Sequence, residues 1–240
     1  MKAMVLAAGV GSRLRPATDA MPKALIDVGG QPMLERVLRR LEDAGATEII
    51  VNVHHFPDQI AGYLRARRDS GSRVELSQEP VLLETGGGLK KAAWFFDDGK
   101  PFLLHNSDVL SDVDLRALYS AHEGGNALAT LAVHKRDSSR QLLFDPSGRL
   151  RGRRKGQTIE WAGPAAASAV ELAFAGIHVI SPAIFPLLTE TGAFSITDSY
   201  VRLARQGERI QAFRVDSAAW FDIGSAEKLE RARKHFAADR

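Results

Sequence analysis

The 240-residue sequence contains no cysteine. A disulfide framework, a zinc site built on thiolates and a cysteine nucleophile are therefore excluded. This absence suits the reducing cytoplasm, where we expect the protein to reside. No stretch approaches the roughly 20 apolar residues of a membrane span, and the opening apolar run is too short for a secretory signal. We therefore expect no membrane partner.

The sequence also has little net charge, +3 at pH 7, with 45% hydrophobic and 25% charged residues. These are the proportions of an ordinary globular protein, and the length fits one large α/β domain or two small ones. The seven histidines show no HExxH spacing. A basic run is interpreted as a solvated hairpin, so we expect no nucleic-acid partner; it comprises Arg149, Arg151, Arg153, Arg154 and Lys155.

Strand and helix patterns alternate in the first half of the chain. A continuous apolar run from Lys2 to Ala8 is typical of a buried parallel strand. Apolar residues at helical spacing then extend from Pro32 to Gly45. The further predicted elements are a strand at 48–53, a helix at 57–67, a strand at 74–77, a helix at 88–96 and a strand at 101–105. This order predicts an α/β fold with a Rossmann-like mixed, mostly parallel sheet flanked by helices.

The second half shows a more mixed pattern. It is predicted to contain helices at 112–122, from Pro182, at 197–206 and at 225–236, and strands at 127–134, 142–144, 171–180 and 209–215. The segment 151–168, rich in glycine, arginine and alanine, is predicted to be a mobile excursion. Ligands of open α/β sheets bind beyond the carboxyl ends of the strands. Three loops are expected there, at 9–23, 78–88 and 106–112.

The first of these loops combines glycines with basic residues. It runs from Ala7 through Gly9, Gly11 and Arg13, and Lys23 follows a proline ten residues later. Glycines let backbone N–H groups approach a phosphate, while arginine and lysine can clamp a triphosphate. The loop lacks the Gly-Lys-Ser/Thr end of a Walker motif and the last glycine of a dinucleotide fingerprint. Taken alone, it is equally consistent with a turn carrying solvated basic side chains.

Two aspartates lie in predicted loops. Asp108 follows an apolar strand, and Asp222 precedes an Ile-Gly pair. Their carboxylates suit Mg²⁺, although capping of a turn or helix is the simpler role for a single aspartate.

A glycine triplet precedes a predicted helix. Residues 86–88 are three glycines, which permit close approach of a flat base or form a flexible turn.

Together these motifs resemble the sugar-1-phosphate nucleotidylyltransferase family. Residues 9–16 and 22–25 are similar to its signature G-x-G-[ST]-R-[LM]-x-P followed by P-K-x-[LM]. The likeness continues at 84–88, 105–108, 174–177 and 220–225, and so spans nearly the whole chain. Two departures are Ser107, where the family usually has glycine, and Glu84, where many relatives have glycine. The resemblance implies one domain over 1–240 of the nucleotide-diphospho-sugar transferase type, with about 1–110 binding NTP and about 111–240 binding the sugar.

The resemblance also implies an enzyme, a nucleotidyltransferase of nucleotide-sugar biosynthesis that uses Mg²⁺. It would transfer a nucleoside monophosphate from an NTP to a sugar 1-phosphate and release pyrophosphate. The implied catalytic residues are Arg13, Lys23 and Asp108, and the implied metal ligands are Asp108 and Asp222. The implied nucleotide-binding residues are Ala7, Ala8, Gly9, Gly11, Ser12, Arg13, Gln78, Glu79, Thr85 and Gly86. The implied sugar-phosphate-binding residues are Lys23, Asn106, Glu171 and Gly176.

The substrate remains open within this class. The segments at 84–88 and 174–185 look like those of N-acetylmuramate-1-phosphate uridylyltransferases of cell-wall metabolism, which favours UTP. They are also similar to GTP-dependent mannose- and heptose-1-phosphate guanylyltransferases. A CTP-dependent cytidylyltransferase and a non-catalytic sugar-nucleotide sensor are the remaining alternatives. The sequence is compatible with a monomer or a dimer.

Overall fold

Strands and helices alternate along the chain in the structure, a computed structural model that describes residues 1–67 and 71–237. The strands are β1 (Lys2–Leu6), β2 (Asp27–Val28), β3 (Gln31–Pro32), β4 (Glu48–Val53), β5 (Arg73–Gln78), β6 (Phe102–Asn106), β7 (Val109–Ser111), β8 (Ala129–His134), β9 (Arg140–Phe144), β10 (Leu150–Lys155), β11 (Thr158–Trp161), β12 (Val170–Ile180), β13 (Ile210–Arg214) and β14 (Trp220–Asp222). The helices are α1 (Met33–Asp43), α2 (Pro57–Ala66), α3 (Glu84–Lys91), α4 (Leu115–Glu123), α5 (Ile196–Arg205) and α6 (Ala226–Ala237). Short 3-10 helices lie at Ser12–Leu14, Lys23–Leu25, Ala93–Phe95 and Pro182–Leu187. In the two described ranges, no helix has the length and apolarity needed to cross a membrane.

A ten-stranded mixed sheet, formed by described residues, organises the fold. Its main order is β11-β10-β9-β12-β6-β1-β4-β5, with β8 beside β12 and β13 beside β8. Strands β5, β4, β1 and β6 are mutually parallel neighbours, as the alternating pattern predicts. Strand β12 runs antiparallel to β6 and joins this parallel half to β9, β10 and β11. The predicted fold class is therefore confirmed.

Both faces of the sheet are covered by apolar packing. Along β1, Ala3 and Val5 enter one buried cluster and Met4 enters the other, because successive side chains of a strand point to opposite faces. Helix α1 lays its predicted apolar stripe on the first cluster, where Leu38 is fully buried. Truncating such a side chain to alanine costs about 2–5 kcal/mol of stability.

The carboxyl ends of the parallel strands meet at one edge of the sheet. Leu6 lies opposite both Asn52 and Asn106, and Val53 lies opposite Gln78. The loops that follow β1, β5 and β6 therefore leave from the same edge, as predicted. This edge is where the candidate site is built.

The third predicted helix begins earlier than expected. Helix α3 starts at Glu84, so the glycine triplet lies inside the helix and the predicted start at Gly88 is wrong. The glycines face close neighbours: a Cβ on Gly88 would lie 2.6 Å from Glu79 Oε1 and 2.7 Å from Asn52 Nδ2. Glycine weakens a helix by propensity, but here side chains larger than hydrogen have no room. Packing against the rest of the fold therefore decides the helix start.

The segment predicted to be a mobile excursion is instead largely a hairpin. Strands β10 and β11 pair antiparallel, with Arg153 opposite Glu160. The Arg153 side chain donates to Glu160 Oε2 at 2.8 Å and also pairs with Asp198 of α5. Charge complementarity with a neighbouring helix thus orders a stretch whose composition indicated a loop.

Candidate active site

The glycine loop after β1 folds into a tight turn. Gly11 has φ +69°, in the left-handed region that favours glycine, and its carbonyl accepts hydrogen bonds from Leu14 N and Thr18 Oγ1, both at 2.9 Å. A Cβ on Gly11 would lie only 2.8 Å from Thr18 Cγ2 and 3.1 Å from Lys23 Cβ. The turn therefore requires glycine both for its backbone angle and for its close packing.

Lys23 and Asp108 meet at the base of this loop. Lys23 opens a short 3-10 helix and is 8% exposed, and its Nζ donates to Asp108 Oδ2 at 2.5 Å. Asp108 lies in the turn between β6 and β7. The loop after β1 and the loop after β6 thus place a lysine and a carboxylate side by side.

Asp222 reaches the same region through a short antiparallel pair. Strand β14 pairs with β7, which sets Asp222 opposite Val109, and Ile223 N donates to Asp108 O at 2.8 Å. The two candidate metal ligands are therefore carried by adjoining backbone segments. Asp222 Oδ2 accepts from Lys228 Nζ of α6 at 2.7 Å. Each carboxylate consequently has a lysine partner, and Lys228 is a residue that the sequence did not single out.

These carboxylates fit a hard divalent ion that takes its other ligands from phosphate and water. Within the described part of the chain, no group of three or more histidine, aspartate or glutamate side chains is arranged to hold a metal alone. Magnesium commonly binds one or two protein carboxylates plus substrate phosphates and waters. Asp108 and Asp222 supply such a donor set.

Arg13 and Asp222 approach the same small residue. A Cβ on Gly224 would lie 3.1 Å from Arg13 Nη2 and 3.3 Å from Asp222 Oδ1. The exposed Arg13 guanidinium makes no hydrogen bond or ion pair with any other described residue. It is therefore available to an anionic ligand beside the carboxylates.

A cleft of about 460 Å³ opens over Arg13, Lys23 and Asp108, whereas Asp222 and Lys228 line a separate depression. The cleft brings together nine of the residues implied by the resemblance: Ala8, Gly9, Gly11, Ser12, Arg13, Lys23, Thr85, Asn106 and Asp108. Ser195, and Gly224 of the 220–225 motif, also line it, together with Asn52 and Arg140, which the sequence did not single out. Asn52 could have been noticed as a polar residue within the apolar strand β4.

Asn52 and Glu79 form a buried hydrogen-bond chain that starts at the wall of the cleft. Asn52 Oδ1 accepts from Ala7 N at 2.7 Å, and Asn52 Nδ2 donates to Glu79 Oε1 at 2.7 Å. The second oxygen of Glu79 accepts from Leu83 N at 3.0 Å. Glu79 is only 2% exposed, and its carboxylate links Asn52 of β4 to Leu83 just before α3.

Four of the implied nucleotide-binding residues do not line the cleft. Gln78 is exposed at the end of β5, where its carbonyl accepts from Lys91, and Glu79 is held as described above. Ala7 is buried, with its N–H bound to Asn52. Gly86 is buried against Phe194 and donates its N–H to the Phe194 carbonyl at 2.8 Å.

A second cavity of about 460 Å³ adjoins the cleft on the side of β9, β10 and β12. The two cavities share Leu6, Glu84, Thr85, Asn106, Arg140 and Ser195. Gly176 lies beside them with φ +76°, where a Cβ would be 2.8 Å from Asn106 Nδ2. Asn106 and Gly176 are thus brought together, whereas Glu171 pairs with Arg154 in a separate depression nearer the start of β12.

Arg136 is fixed between this second cavity and Asp222. Its Nε donates to His134 Nε2 at 2.9 Å, and its guanidinium lies 4.4 Å from the centre of the Trp220 ring. Burial lowers the pKa of Arg136, while the charge of Asp222 opposes that shift. Burial also lowers the pKa of His134, which keeps the ring neutral and able to accept this hydrogen bond.

The site combines a glycine loop, two cations and two adjoining carboxylates at the carboxyl edge of a Rossmann-like sheet, an arrangement that suits an enzyme transferring nucleotidyl groups. The chain belongs to the nucleotidyl transferase family, whose model matches residues 2–239. It is a sugar-1-phosphate nucleotidyltransferase, as the sequence resemblance predicts.

Individual relatives support this membership. The chain is 33% identical over 244 residues to the N-acetylmuramate alpha-1-phosphate uridylyltransferase of Neisseria meningitidis, covering 97% of each protein. It is 29% identical over 230 residues to the mannose-1-phosphate guanyltransferase of Pichia angusta, covering 93% of this chain and 61% of that protein. Among solved structures, the UDP-glucose pyrophosphorylase of Acinetobacter baumannii has the same fold, with a TM-score of 0.81 at 20% identity over 100% of this chain and 94% of that one.

Proposed function

We propose that this enzyme joins UMP from UTP to N-acetylmuramate 1-phosphate and releases pyrophosphate. The observation that carries the proposal is the pairing of Lys23 Nζ with Asp108 Oδ2 beside the Gly11 turn, with Asp222 on the adjoining strand. This arrangement gathers the charges that phosphate transfer needs. The choice of UTP and of this sugar is supported by the Neisseria relative, which matches the chain over 97% of both lengths.

In the proposed reaction, an oxygen of the sugar 1-phosphate attacks the α-phosphorus of UTP in line. The new P–O bond forms as the bond to the β-phosphate oxygen breaks, and pyrophosphate leaves with that electron pair. The attacking oxygen is already an anion, so no protein base has to remove a proton. The obstacle is repulsion between anions, which positioned cations and amides offset.

The residues of the cleft divide this task. Arg13 and the N–H groups of the glycine loop bind the departing pyrophosphate, and Lys23 binds the phosphate at the reacting centre. Asp108 holds the Lys23 ammonium in place, because their side chains meet at 2.5 Å. Mg²⁺, when bound through Asp108 and Asp222, supplies further charge neutralisation at the phosphate oxygens.

The same proposal assigns the two halves of the chain. Residues 1–110 bind the NTP, with Ser12 and Thr85 beside the nucleotide, and residues 111–240 complete the sugar side next to Asn106 and Gly176. Glu171 stays a candidate sugar ligand that would have to leave Arg154 to reach the substrate. We place the reaction in the cytoplasm, where UTP is made.

A matrix of four NTPs against several sugar 1-phosphates tests the proposal through pyrophosphate release, with Mg²⁺ and with EDTA. The expected result is fastest release with UTP and N-acetylmuramate 1-phosphate, abolished by EDTA. Preference for GTP with mannose 1-phosphate or a heptose 1-phosphate would replace this substrate assignment, and preference for CTP would indicate a cytidylyltransferase. Nucleotide binding without pyrophosphate release from any pair would contradict catalysis itself.

A further inference from the structure

The boundary between the two cavities carries two charged side chains. Glu84 and Arg140 line both cavities, yet neither makes a hydrogen bond or ion pair through its charged group with another described residue. Glu84 has φ +58°, a left-handed conformation that is uncommon for a residue with a side chain. Two unpaired charged groups and an uncommon backbone angle lie at the boundary between the cavities. Such features are typical of a ligand-binding position.

Most cations of the second cavity are already matched by carboxylates of the protein. Arg153 pairs with Glu160 and Asp198, and Lys155 Nζ lies 3.3 Å from Asp198 Oδ1. Arg154 pairs with Glu171 outside the cavity. These charges therefore have partners before any substrate arrives.

Arg136 and Arg140 are the two lining arginines left without a carboxylate partner among the described residues. Arg136 is half-buried and held by His134 and Trp220 close to Asp222, on the side where the proposed function puts the sugar phosphate. Arg140 is exposed at the boundary between the two cavities. Under the proposed function, Lys23 and Arg136 already offer cations to the phosphate of the sugar substrate. Arg140 is therefore left for a second anionic group on that substrate.

The backbone fixes the position of Arg140 without using its side chain. Arg140 is the first residue of β9 and pairs with Lys155 of β10. Its N–H donates to Ser138 Oγ at 3.2 Å, and its carbonyl accepts from the same hydroxyl at 2.9 Å. The backbone of Arg140 is therefore held at the start of β9, while its guanidinium stays available to a ligand.

We infer that Arg140 is a specificity-determining residue that binds a carboxylate carried by the sugar ring, an inference that rests on the proposed function. A guanidinium offers two parallel N–H groups that match the two oxygens of a carboxylate. A neutral sugar would leave this charge unmatched, whereas the lactyl carboxylate of N-acetylmuramate, or the carboxylate of a uronic acid, would neutralise it.

The test uses two pairs of sugar 1-phosphates that differ by a carboxylate. These are N-acetylmuramate against N-acetylglucosamine 1-phosphate, and glucuronate against glucose 1-phosphate. Each is assayed by pyrophosphate release with the wild-type enzyme, Arg140→Gln and Arg140→Lys. Arg65→Gln is the matched control, because it removes one exposed arginine charge from α2, outside both cavities. Circular dichroism checks that every variant is folded.

Arg140→Gln is expected to raise the KM of the acidic sugars by about tenfold or more, the size of a lost charge-assisted hydrogen bond, with kcat within about twofold. The KM of the neutral sugars should stay within about twofold, Arg140→Lys should fall between wild type and Arg140→Gln, and Arg65→Gln should match wild type. The acid-specific loss distinguishes a carboxylate contact from binding of the phosphate that all four sugars carry.

Equal losses on acidic and neutral sugars would overturn the carboxylate assignment, since they would place the shared phosphate on Arg140. A wild-type enzyme that prefers the neutral member of both pairs, or uses neither acid, would overturn it without any variant. Use of N-acetylmuramate 1-phosphate with no acid-specific loss would keep the proposed function and reject the contact. Acid-specific loss on glucuronate 1-phosphate alone would keep the contact and reject the muramate assignment.

Discussion

Lys23 Nζ lies 2.5 Å from Asp108 Oδ2, although 85 positions of sequence separate the two residues. The lysine side chain is only 10% exposed and the aspartate 31% exposed, so the pair is partly shielded from water at the floor of the cleft. A cation held in this way is preorganised for phosphate oxygens, because its orientation does not have to be found during the reaction.

Replacing Lys23 by alanine should remove most of the activity. We expect kcat to fall on the order of 100-fold or more, because a preorganised charge at the reacting phosphate is lost. Steady-state pyrophosphate release measures the effect, and Lys100→Ala is the control, since Lys100 is exposed just before the opposite end of β6. Lys23→Ala activity equal to that of Lys100→Ala would remove Lys23 from the reacting centre.

Neutralising either candidate metal ligand should raise the Mg²⁺ concentration that half-saturates the rate. We expect a shift of about tenfold or more for Asp108→Asn and for Asp222→Asn, since an amide oxygen carries no charge for the ion. Asp112→Asn serves as the control, because Asp112 follows β7 and lines neither the cleft nor the depression that Asp222 lines. An unchanged Mg²⁺ titration in both ligand variants would contradict a shared metal site.

Alanine at Gly11 should disturb the phosphate-binding turn more than alanine at Gly99. Both glycines have φ +69°, but a Cβ at Gly99 meets nothing within 4 Å, whereas one at Gly11 meets Thr18 Cγ2 at 2.8 Å. The backbone angle alone costs each variant about 1–2 kcal/mol of unfolding free energy. Denaturant unfolding should show a larger loss for Gly11→Ala, and pyrophosphate release should fall only in that variant. Equal effects at the two glycines would mean that the contact with Thr18 is unimportant.

Glu79→Gln separates a structural role from a contact with the nucleobase. Its carboxylate accepts from Asn52 and from Leu83 N inside the protein. A glutamine would present an NH₂ group to one of these donors, so we expect a loss of about 1–3 kcal/mol in unfolding free energy. The ranking of the four NTPs should stay as in wild type. A changed ranking with unchanged stability would instead put Glu79 on the base, and Gln78→Ala at the exposed neighbour is the control.

Acidification should destabilise the fold through its buried histidines, of which His122 and His178 are examples. Burial lowers the pKa of His122 to about 4 and that of His178 to about 3, against the ordinary value of 6.5. Below pH 6.5 the unfolded chain therefore binds protons that the folded chain does not, and stability falls with pH until the folded pKa is reached. Each histidine contributes a slope of about 1.4 kcal/mol per pH unit within that window.

Urea unfolding between pH 7.5 and 4.5 measures this slope. His122→Asn keeps a hydrogen-bonding side chain for the Thr130 hydroxyl, which lies 2.9 Å from His122 Nδ1, but cannot titrate in this range. The variant should show a shallower dependence than wild type. Identical slopes would show that His122 does not carry the effect.

The sequence allowed the parallel half of the sheet, the glycine loop and the Lys23 motif to be predicted, because each depends on local pattern. The meeting of Asp222 with Asp108 was implied only by family resemblance, since it depends on the short pair of β7 and β14. The start of α3 was misplaced because it depends on how closely the glycine triplet packs against Phe194, Gly192 and Glu79, which the sequence does not show. Arg140 could not be singled out from the sequence. Its lack of a carboxylate partner among the described residues is apparent only once the partners of the neighbouring charges are known.

The pairing of β7 with β14 has a consequence during protein synthesis. The glycine loop, Lys23 and Asp108 leave the ribosome long before Asp222 and Lys228 do, so a growing chain holds half of its candidate metal site with nothing to complete it. Catalytic competence would then arrive late in translation, and a chain cut anywhere before residue 222 would lack it.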